Sequence, residues 1–256
     1  MKVAILAGGQ GARLGEETEE IPKALAEIGG RPILWHVMRY YLHFGFDRIV
    51  VALGYKGDMI RGYFNGAAQA GGPHGNSRPG AAGPNGADAA PAWRLDLVDT
   101  GPDTQTGGRI KRLAPHLGNE TFMLTWCDGL ADIDLRALLA FHRGHGRLAT
   151  LTAIHPPARF GRVTLNGDVV SAFAEKPRDP AEWINGAFFV LEPGVFDYIE
   201  GDRTEWDRET LPRLARDGEL MAYRHESFWH CMDTLKDKRD LQALWDGGAA
   251  PWQVWG

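Results

Sequence analysis

Apolar residues are distributed along this chain in two alternating ways. Short solid runs occur at Val3–Leu6, Arg48–Leu53 and Thr121–Thr125, and runs of this kind predict strands buried on both faces. Between them, apolar positions recur at helical spacing. Pro32 stands where a first helical residue belongs, followed by Ile33, Leu34, Val37, Met38 and Tyr41. Helical patterns also cover Lys56–Phe64, Gly108–Leu117, Arg208–Arg216 and Thr234–Trp245, and Asp134 is a suitable N-cap for a helix running to His145. Further strands are predicted at Trp93–Val98, Leu148–Ile154, Arg162–Leu165, Val169–Phe173 and Ile184–Leu191. Strands separated by helices predict an α/β fold, a Rossmann-like open mixed sheet, mostly parallel, flanked by helices. Ligands of such sheets bind beyond the carboxyl ends of the strands. The first and third core strands both run into polar, glycine-containing loops, which places two loops over one crevice.

One stretch breaks the alternation. Residues 66–92 hold seven Gly, four Pro and nine Ala, with no apolar side chain larger than Ala. Such a segment buries too little surface to offset its ordering entropy, so it is expected to be a mobile insertion within one domain spanning 1–256. The remaining composition is ordinary, 44% apolar and 24% charged, which excludes wholesale disorder. With 28 basic and 33 acidic side chains the net charge is −5, and no nucleic-acid partner is expected. No apolar run is long enough to span a bilayer, and the opening segment lacks the plan of a signal peptide. Two cysteines cannot make a disulfide framework, so a cytoplasmic protein is expected.

The sequence Leu6-Ala7-Gly8-Gly9-Gln10-Gly11-Ala12-Arg13-Leu14 directly follows the first strand. Its glycines let backbone N–H groups turn toward an anion, and Arg13 adds positive charge. An ordinary tight turn remains an alternative reading. No Gly-Lys-Ser/Thr follows, as a Walker A loop requires, and Leu14 breaks the dinucleotide fingerprint. Lys23, after Pro22, lies on the same long loop, so Arg13 and Lys23 together suit a triphosphate; a solvated lysine is the bland alternative.

The run from Leu6 to Asp47 resembles the opening of the sugar-1-phosphate nucleotidyltransferases. Supporting stretches are GYKGDMIRGYF (54–64), LVDTGPDTQTGGRIKR (97–112), DGLADID (128–134), HPPARFGRV (155–163), AFAEKP (172–177), WINGAFFVLEP (183–193), MDTLKDK (232–238) and APWQVW (250–255). The later segments are similar to the cytidylyl-transferring branch. That resemblance implies the nucleotide-diphospho-sugar transferase type of fold, with a small sugar-facing β extension from about residue 150. It implies transfer from CTP to α-D-glucose 1-phosphate with Mg²⁺ as cofactor. Another triphosphate, a modified sugar or a non-catalytic nucleotide sensor are the alternatives, and a homo-oligomer is expected.

The resemblance assigns roles residue by residue. Leu6, Ala7, Gly8, Gly9, Gly11, Ala12, Arg13 and Lys23 would hold the nucleotide phosphates, and Thr106, Gly107 and Arg109 the base and ribose. Asp128 and Asp233 would bind the metal. Lys176 would meet the attacking phosphate, beside Gly129, Glu175, Asn185 and Gly186 on the sugar. Arg13, Lys23, Asp128 and Lys176 form the implied catalytic set. Read alone, Glu175-Lys176-Pro177 would be a surface turn and Arg109 a surface arginine at a helix start. The chain departs from the family pattern at Ala12, at Trp126-Cys127 and at His230-Cys231, all close to the implied centre. A zinc site built on Cys127, His230 and Cys231 is disfavoured, because no paired ligand spacing is present. The two cysteines are expected to lie near each other as free thiols.

Overall fold

The computed structural model describes residues 1–9, 20–69, 93–156, 161–175 and 182–255. Its elements in chain order are β1 (Lys2–Leu6), β2 (Glu27–Ile28), β3 (Arg31–Pro32), α1 (Ile33–His43), β4 (Arg48–Leu53), α2 (Gly57–Gln69), β5 (Arg94–Asp99), α3 (Thr106–Leu117), β6 (Phe122–Trp126) and β7 (Gly129–Ala131). There follow α4 (Leu135–His145), β8 (Ala149–Ile154), β9 (Arg162–Asn166), β10 (Val169–Ala174), β11 (Ile184–Leu191), α5 (Leu211–Arg216), β12 (Leu220–His225), β13 (Trp229–Cys231) and α6 (Leu235–Asp246).

Seven strands form one sheet in the order β12-β8-β11-β6-β1-β4-β5. Every neighbouring pair is parallel except those made by β11, which runs antiparallel to both β6 and β8. The mixed, mostly parallel α/β fold expected from the pattern is therefore present. The apolar runs became central strands because both faces are covered. Val3, Ile5 and Val51 point into a cluster with α1 and α4 residues, whereas Ala4, Val50 and Leu124 point into a second cluster with Ile110 and Leu113 of α3 and with Trp206.

Several boundaries moved for physical reasons. Pro32 closes β3 and serves as the N-cap, so α1 begins one residue later. Asp134 caps α4 as expected, its carboxylate accepting from the backbone N–H groups of Arg136 and Ala137. Helix α2 continues to Gln69, so the Gly/Ala/Pro-rich segment starts inside a helix, and its residues 70–92 lie outside the described residues. The helix expected at 208–216 is a five-residue π-turn, Trp206–Thr210, leading into the short α5. Strands β7, β12 and β13 carry no period strong enough to be read from sequence.

Among the described residues no helix is long and apolar enough to cross a membrane.

Candidate active site

The crevice lies where the carboxyl ends of β1, β4 and β6 meet the amino end of β11. Register makes these ends coincide: Leu6 pairs with Ala52 and with Trp126, and Thr125 pairs with Phe188. Beyond β1 the chain stays attached to its neighbour, because Ala7 N–H donates to the Ala52 carbonyl and Tyr55 N–H donates to the Gly8 carbonyl. Gly9, next in line, is exposed.

At the centre of this rim sits a partly buried charge cluster. Lys23 opens a 3₁₀ turn, Lys23–Leu25, and its Nζ donates to Asp128 Oδ2 at 2.5 Å and to Asp233 Oδ1 at 2.7 Å. Asp128 stands at the end of β6. Asp233 is far away in sequence and arrives through the two-stranded ribbon β7–β13, in which Cys231 pairs with Gly129. Met232 N–H donates to the Asp128 carbonyl at 2.9 Å, which locks the two aspartate-bearing segments together. The start of α6 then fixes Asp233. Thr234 and Asp237 form a reciprocal capping box, and Asp237 Oδ2 also accepts from the Asp233 backbone N–H at 3.1 Å.

Burial alone would lower the Lys23 pKa. The neighbouring carboxylates, Asp128 foremost, overcome that and raise it above the ordinary lysine value. The ammonium is therefore a fixed positive charge with two acidic partners in a partly water-excluded site.

The same cluster fits a divalent cation. The donor atoms of Asp128, Cys231 and Asp233 all lie within 4.8 Å of one another. The Lys23 ammonium already shows where positive charge settles, since it touches both carboxylates. One or two carboxylates completed by substrate phosphate oxygens and water form the usual Mg²⁺ environment. Both cysteines flanking this centre are free thiols, as expected. Burial pushes Cys127 up to about 12 and raises Cys231 as well, with the Asp128 charge the next contributor in each case.

The residues expected to hold base and ribose lie on the β4–β5 side. Arg109 is buried, and its guanidinium donates to the Leu53, Gly101 and Pro102 carbonyls and to Thr100 Oγ1. It lies so close to the first loop that a Cβ on Gly8 would meet Nη1 at 2.4 Å, and one on Gly54 at 2.3 Å. A side chain at either position would have to push the guanidinium off its hydrogen bonds. Thr106 and Gly107 turn toward the segment 202–206: Thr106 Oγ1 accepts from Trp206 N–H, and a Cβ on Gly107 would meet the Thr204 carbonyl at 2.7 Å.

On the opposite side, Asn185 and Gly186 occupy the irregular start of β11. The Asn185 amide is engaged at both ends, donating to Asp207 Oδ1 and accepting from Ala187 N–H, while the Gly186 carbonyl accepts from Trp229 Nε1. Ala187 holds φ of 61°, a left-handed value uncommon for a residue with a side chain, which marks this bend as strongly constrained. Gly129 is buried in β7, and Glu175 is exposed just beyond β10. Gly11, Ala12, Arg13 and Lys176 lie outside the described residues. Sequence reasoning passed over Asp207, Trp229 and Asp237. For Asp237 a signal existed: Thr234-x-x-Asp237 has the spacing of a capping box.

A glycine pair at the end of β1, beside two carboxylates with the spacing of cation donors, suits an enzyme that moves a phosphorus-bearing group. Residues 2–245 match the family model described as nucleotidyl transferase, and the chain belongs to that family. It is 46% identical over 260 residues to the glucose-1-phosphate cytidylyltransferase of Salmonella typhimurium, with 100% of each chain covered. It is 30% identical over 240 residues to the mannose-1-phosphate guanylyltransferase of Mycobacterium tuberculosis, covering 91% of this chain and 61% of that one. Among solved structures, the inositol-1-phosphate CTP transferase from T. maritima superposes with a TM-score of 0.68 at 15% identity, covering 100% of this chain and 97% of that one. At that identity the likeness is one of fold.

Proposed function

We propose that this nucleotidyltransferase moves the cytidylyl group of CTP onto α-D-glucose 1-phosphate, giving CDP-glucose and pyrophosphate. The observation that carries this reading is the Lys23–Asp128–Asp233 cluster beside the carboxyl ends of β1 and β6. Full-length identity of 46% to a curated glucose-1-phosphate cytidylyltransferase supports the choice of substrates.

A phosphate oxygen of the sugar phosphate attacks the α-phosphorus of CTP. A new P–O bond forms, and the bond to the bridging oxygen of pyrophosphate breaks. The attacking phosphate is already ionised near neutral pH, so the site has to align two anions and neutralise them more than it has to move a proton. Asp128 and Asp233 would hold Mg²⁺, which when bound supplies charge neutralisation on the phosphate oxygens. Lys23, released from its carboxylates, pairs with the triphosphate. Arg13 supports the same phosphates from the glycine loop. Lys176 meets the sugar phosphate, and Glu175, Gly129, Asn185 and Gly186 border the sugar. Arg109, behind Gly8 and Gly54, closes the base end with Thr106 and Gly107.

The half from about residue 150 supplies the sugar side within a single domain. A cytoplasmic location is supported by the free thiols. A homo-oligomer is supported by the apolar face of β9–β10, where Val163, Leu165 and Phe173 are 50%, 60% and 64% exposed.

Pyrophosphate release measured across the four triphosphates and a panel of sugar 1-phosphates tests this reading. The highest kcat/KM is expected for CTP with glucose 1-phosphate, and a clear preference for another pair would overturn it.

A further inference from the structure

Strand β11 pairs with β6 only from Phe188 onward, and its register to β8 skips from Phe189 to Asn185, so that Gly186, Ala187 and Phe188 oppose Thr152 alone. Such a bulge interrupts the ladder and re-aims a strand, and bulges concentrate beside active sites. Here side chains take up backbone groups of the bend: Asn185 Oδ1 accepts from Ala187 N–H at 2.8 Å, and Trp229 Nε1 donates to the Gly186 carbonyl at 2.8 Å. The left-handed φ of 61° at Ala187 is a strained conformation, and strain of this kind persists only where the surroundings over-determine it. Two distant residues do so. Asp207 Oδ1 accepts from the Asn185 amide at 3.0 Å, and Asp207 is itself placed by the π-turn that the fully buried Trp206 anchors. Trp229 belongs to β13, and its indole lies against the neighbour of Asp128: a Cβ on Gly129 would come within 4.0 Å of Trp229 Nε1.

We propose that Asp207 and Trp229 are positioning residues for the sugar phosphate: acting through Asn185 and Gly186, they hold the bend of β11 in the single shape that borders the sugar. The inference rests on the proposed function for one point, that Asn185 and Gly186 lie on the sugar side. Each residue has a distinct part. Asp207 fixes the Asn185 amide from outside, so that its other end stays on Ala187 N–H and keeps the left-handed turn closed. Trp229 fixes the backbone one residue on, and because it sits in the ribbon that carries Cys231 and Asp233, it fastens the sugar side to the same element that delivers Asp233 beside Asp128. The two anions that react must meet in line, and a displacement of about 1 Å between such partners can cost about 10²-fold in rate. A bend held from both sides removes that freedom before the sugar phosphate arrives.

The test is steady-state kinetics of the full-length enzyme, varying each substrate with the other saturating. Asp207→Ala should raise the KM for the sugar phosphate roughly 5- to 10-fold, the worth of one hydrogen bond, and leave the KM for CTP unchanged. Asp207→Asn keeps an oxygen that accepts from the Asn185 amide and should recover most of that loss. Trp229→Phe keeps the ring but loses the N–H, and should shift the same constant in the same direction. Combined with Asn185→Ala, Asp207→Ala should add nothing further, because the partner it acts through is already gone. Asp207 is exposed, so its variants decide the matter even if Trp229→Phe does not fold. An unchanged sugar-phosphate KM in Asp207→Ala, equal rises in both KM values, no recovery in Asp207→Asn, or a full further loss on top of Asn185→Ala would each overturn the proposal. If wild type prefers a different sugar 1-phosphate, the proposed substrate fails, and the same split measured with the preferred one still decides the roles of Asp207 and Trp229.

Discussion

Lys23 and His36 are two basic groups buried within the same half of the molecule, and their surroundings drive them to opposite charge states. Lys23 faces Asp128 and Asp233, and its pKa is raised although burial works against it. His36 faces Trp35, Trp245, Trp252 and Trp255, with no acidic partner among its ring and hydrogen-bond neighbours, and burial lowers it to about 4. Nε2 donates to the Ile28 carbonyl, which by itself favours the protonated ring, while Nδ1 accepts from Trp252 Nε1, a role open only to the neutral ring. Burial pushes both groups toward the neutral form; for His36 it decides the state, and for Lys23 the facing carboxylates reverse it. The difference also separates two jobs. In the proposed function the lysine is a charge that substrate can draw from its carboxylates, whereas the histidine is a fixed pin. It fastens the C-terminal Trp252 to the β2–β3 hairpin that follows Lys23, where Gly29 N–H also donates to Gln242 of α6.

The strongest way to break the comparison is to remove acid from the charged region. Asp128→Asn and Asp233→Asn should each lower turnover at least about 10²-fold, the scale on which one charge-stabilising group counts. Each variant should still unfold cooperatively, because Lys23 keeps one carboxylate. An Asp233→Asn enzyme with a near-normal rate in Mg²⁺ would remove that residue from the cation site.

Removing the base is the next largest perturbation. Lys23→Ala should raise the KM for CTP by roughly 10- to 100-fold, the worth of one hydrogen bond to a charged group. Lys176→Ala should instead raise the KM for the sugar phosphate. Equal changes in both constants for either variant would show that the two lysines do not divide the phosphates between them.

Acid sharpens the contrast from the histidine side. Below its ordinary value of 6.5 the unfolded chain's His36 takes up a proton that the folded ring refuses. Stability therefore falls as pH drops from about 6.5 to about 4 and is unaffected by this group above that window. The full shift corresponds to on the order of 3 kcal/mol. Denaturant unfolding of wild type and His36→Gln across this range should show the shallower acid loss in the variant; parallel curves would refute the neutral pin. Lys23, shifted the other way, contributes its stability below pH 10.5 and loses it only in strong alkali.

The smallest effect expected is that of Trp252→Phe, which keeps most of the buried ring but deletes the N–H donated to His36. A loss of about 1 kcal/mol follows from one buried hydrogen bond. Thermal unfolding reads it, and a variant as stable as wild type would mean that packing alone holds the tail.

Much of this molecule is legible in its sequence because the signals are local. Arg48–Leu53 and Ile184–Leu191 are strands with the bounds their apolar runs predict, and Asp134 caps the helix that follows it. The glycine loop, Lys23, Asp128 and Asp233 stand out through their likeness to a family. Tertiary structure decided what depends on contacts between segments far apart in the chain. Strand β13, three residues long, has no period of its own; only pairing with β7 places Cys231 and Asp233 against Asp128. The edge strand β12 likewise exists because β8 offers it a parallel partner. Arg109 looks like a surface residue at a helix start, yet the paired ends of β4 and β5 turn carbonyls toward it, and its guanidinium fills the space that Gly8 and Gly54 leave open. Whether a polar side chain is free for a ligand, as Asn185 was expected to be, or committed to Asp207 and its own backbone, depends on which distant atoms come within hydrogen-bonding reach, and only packing the chain into three dimensions sets those distances.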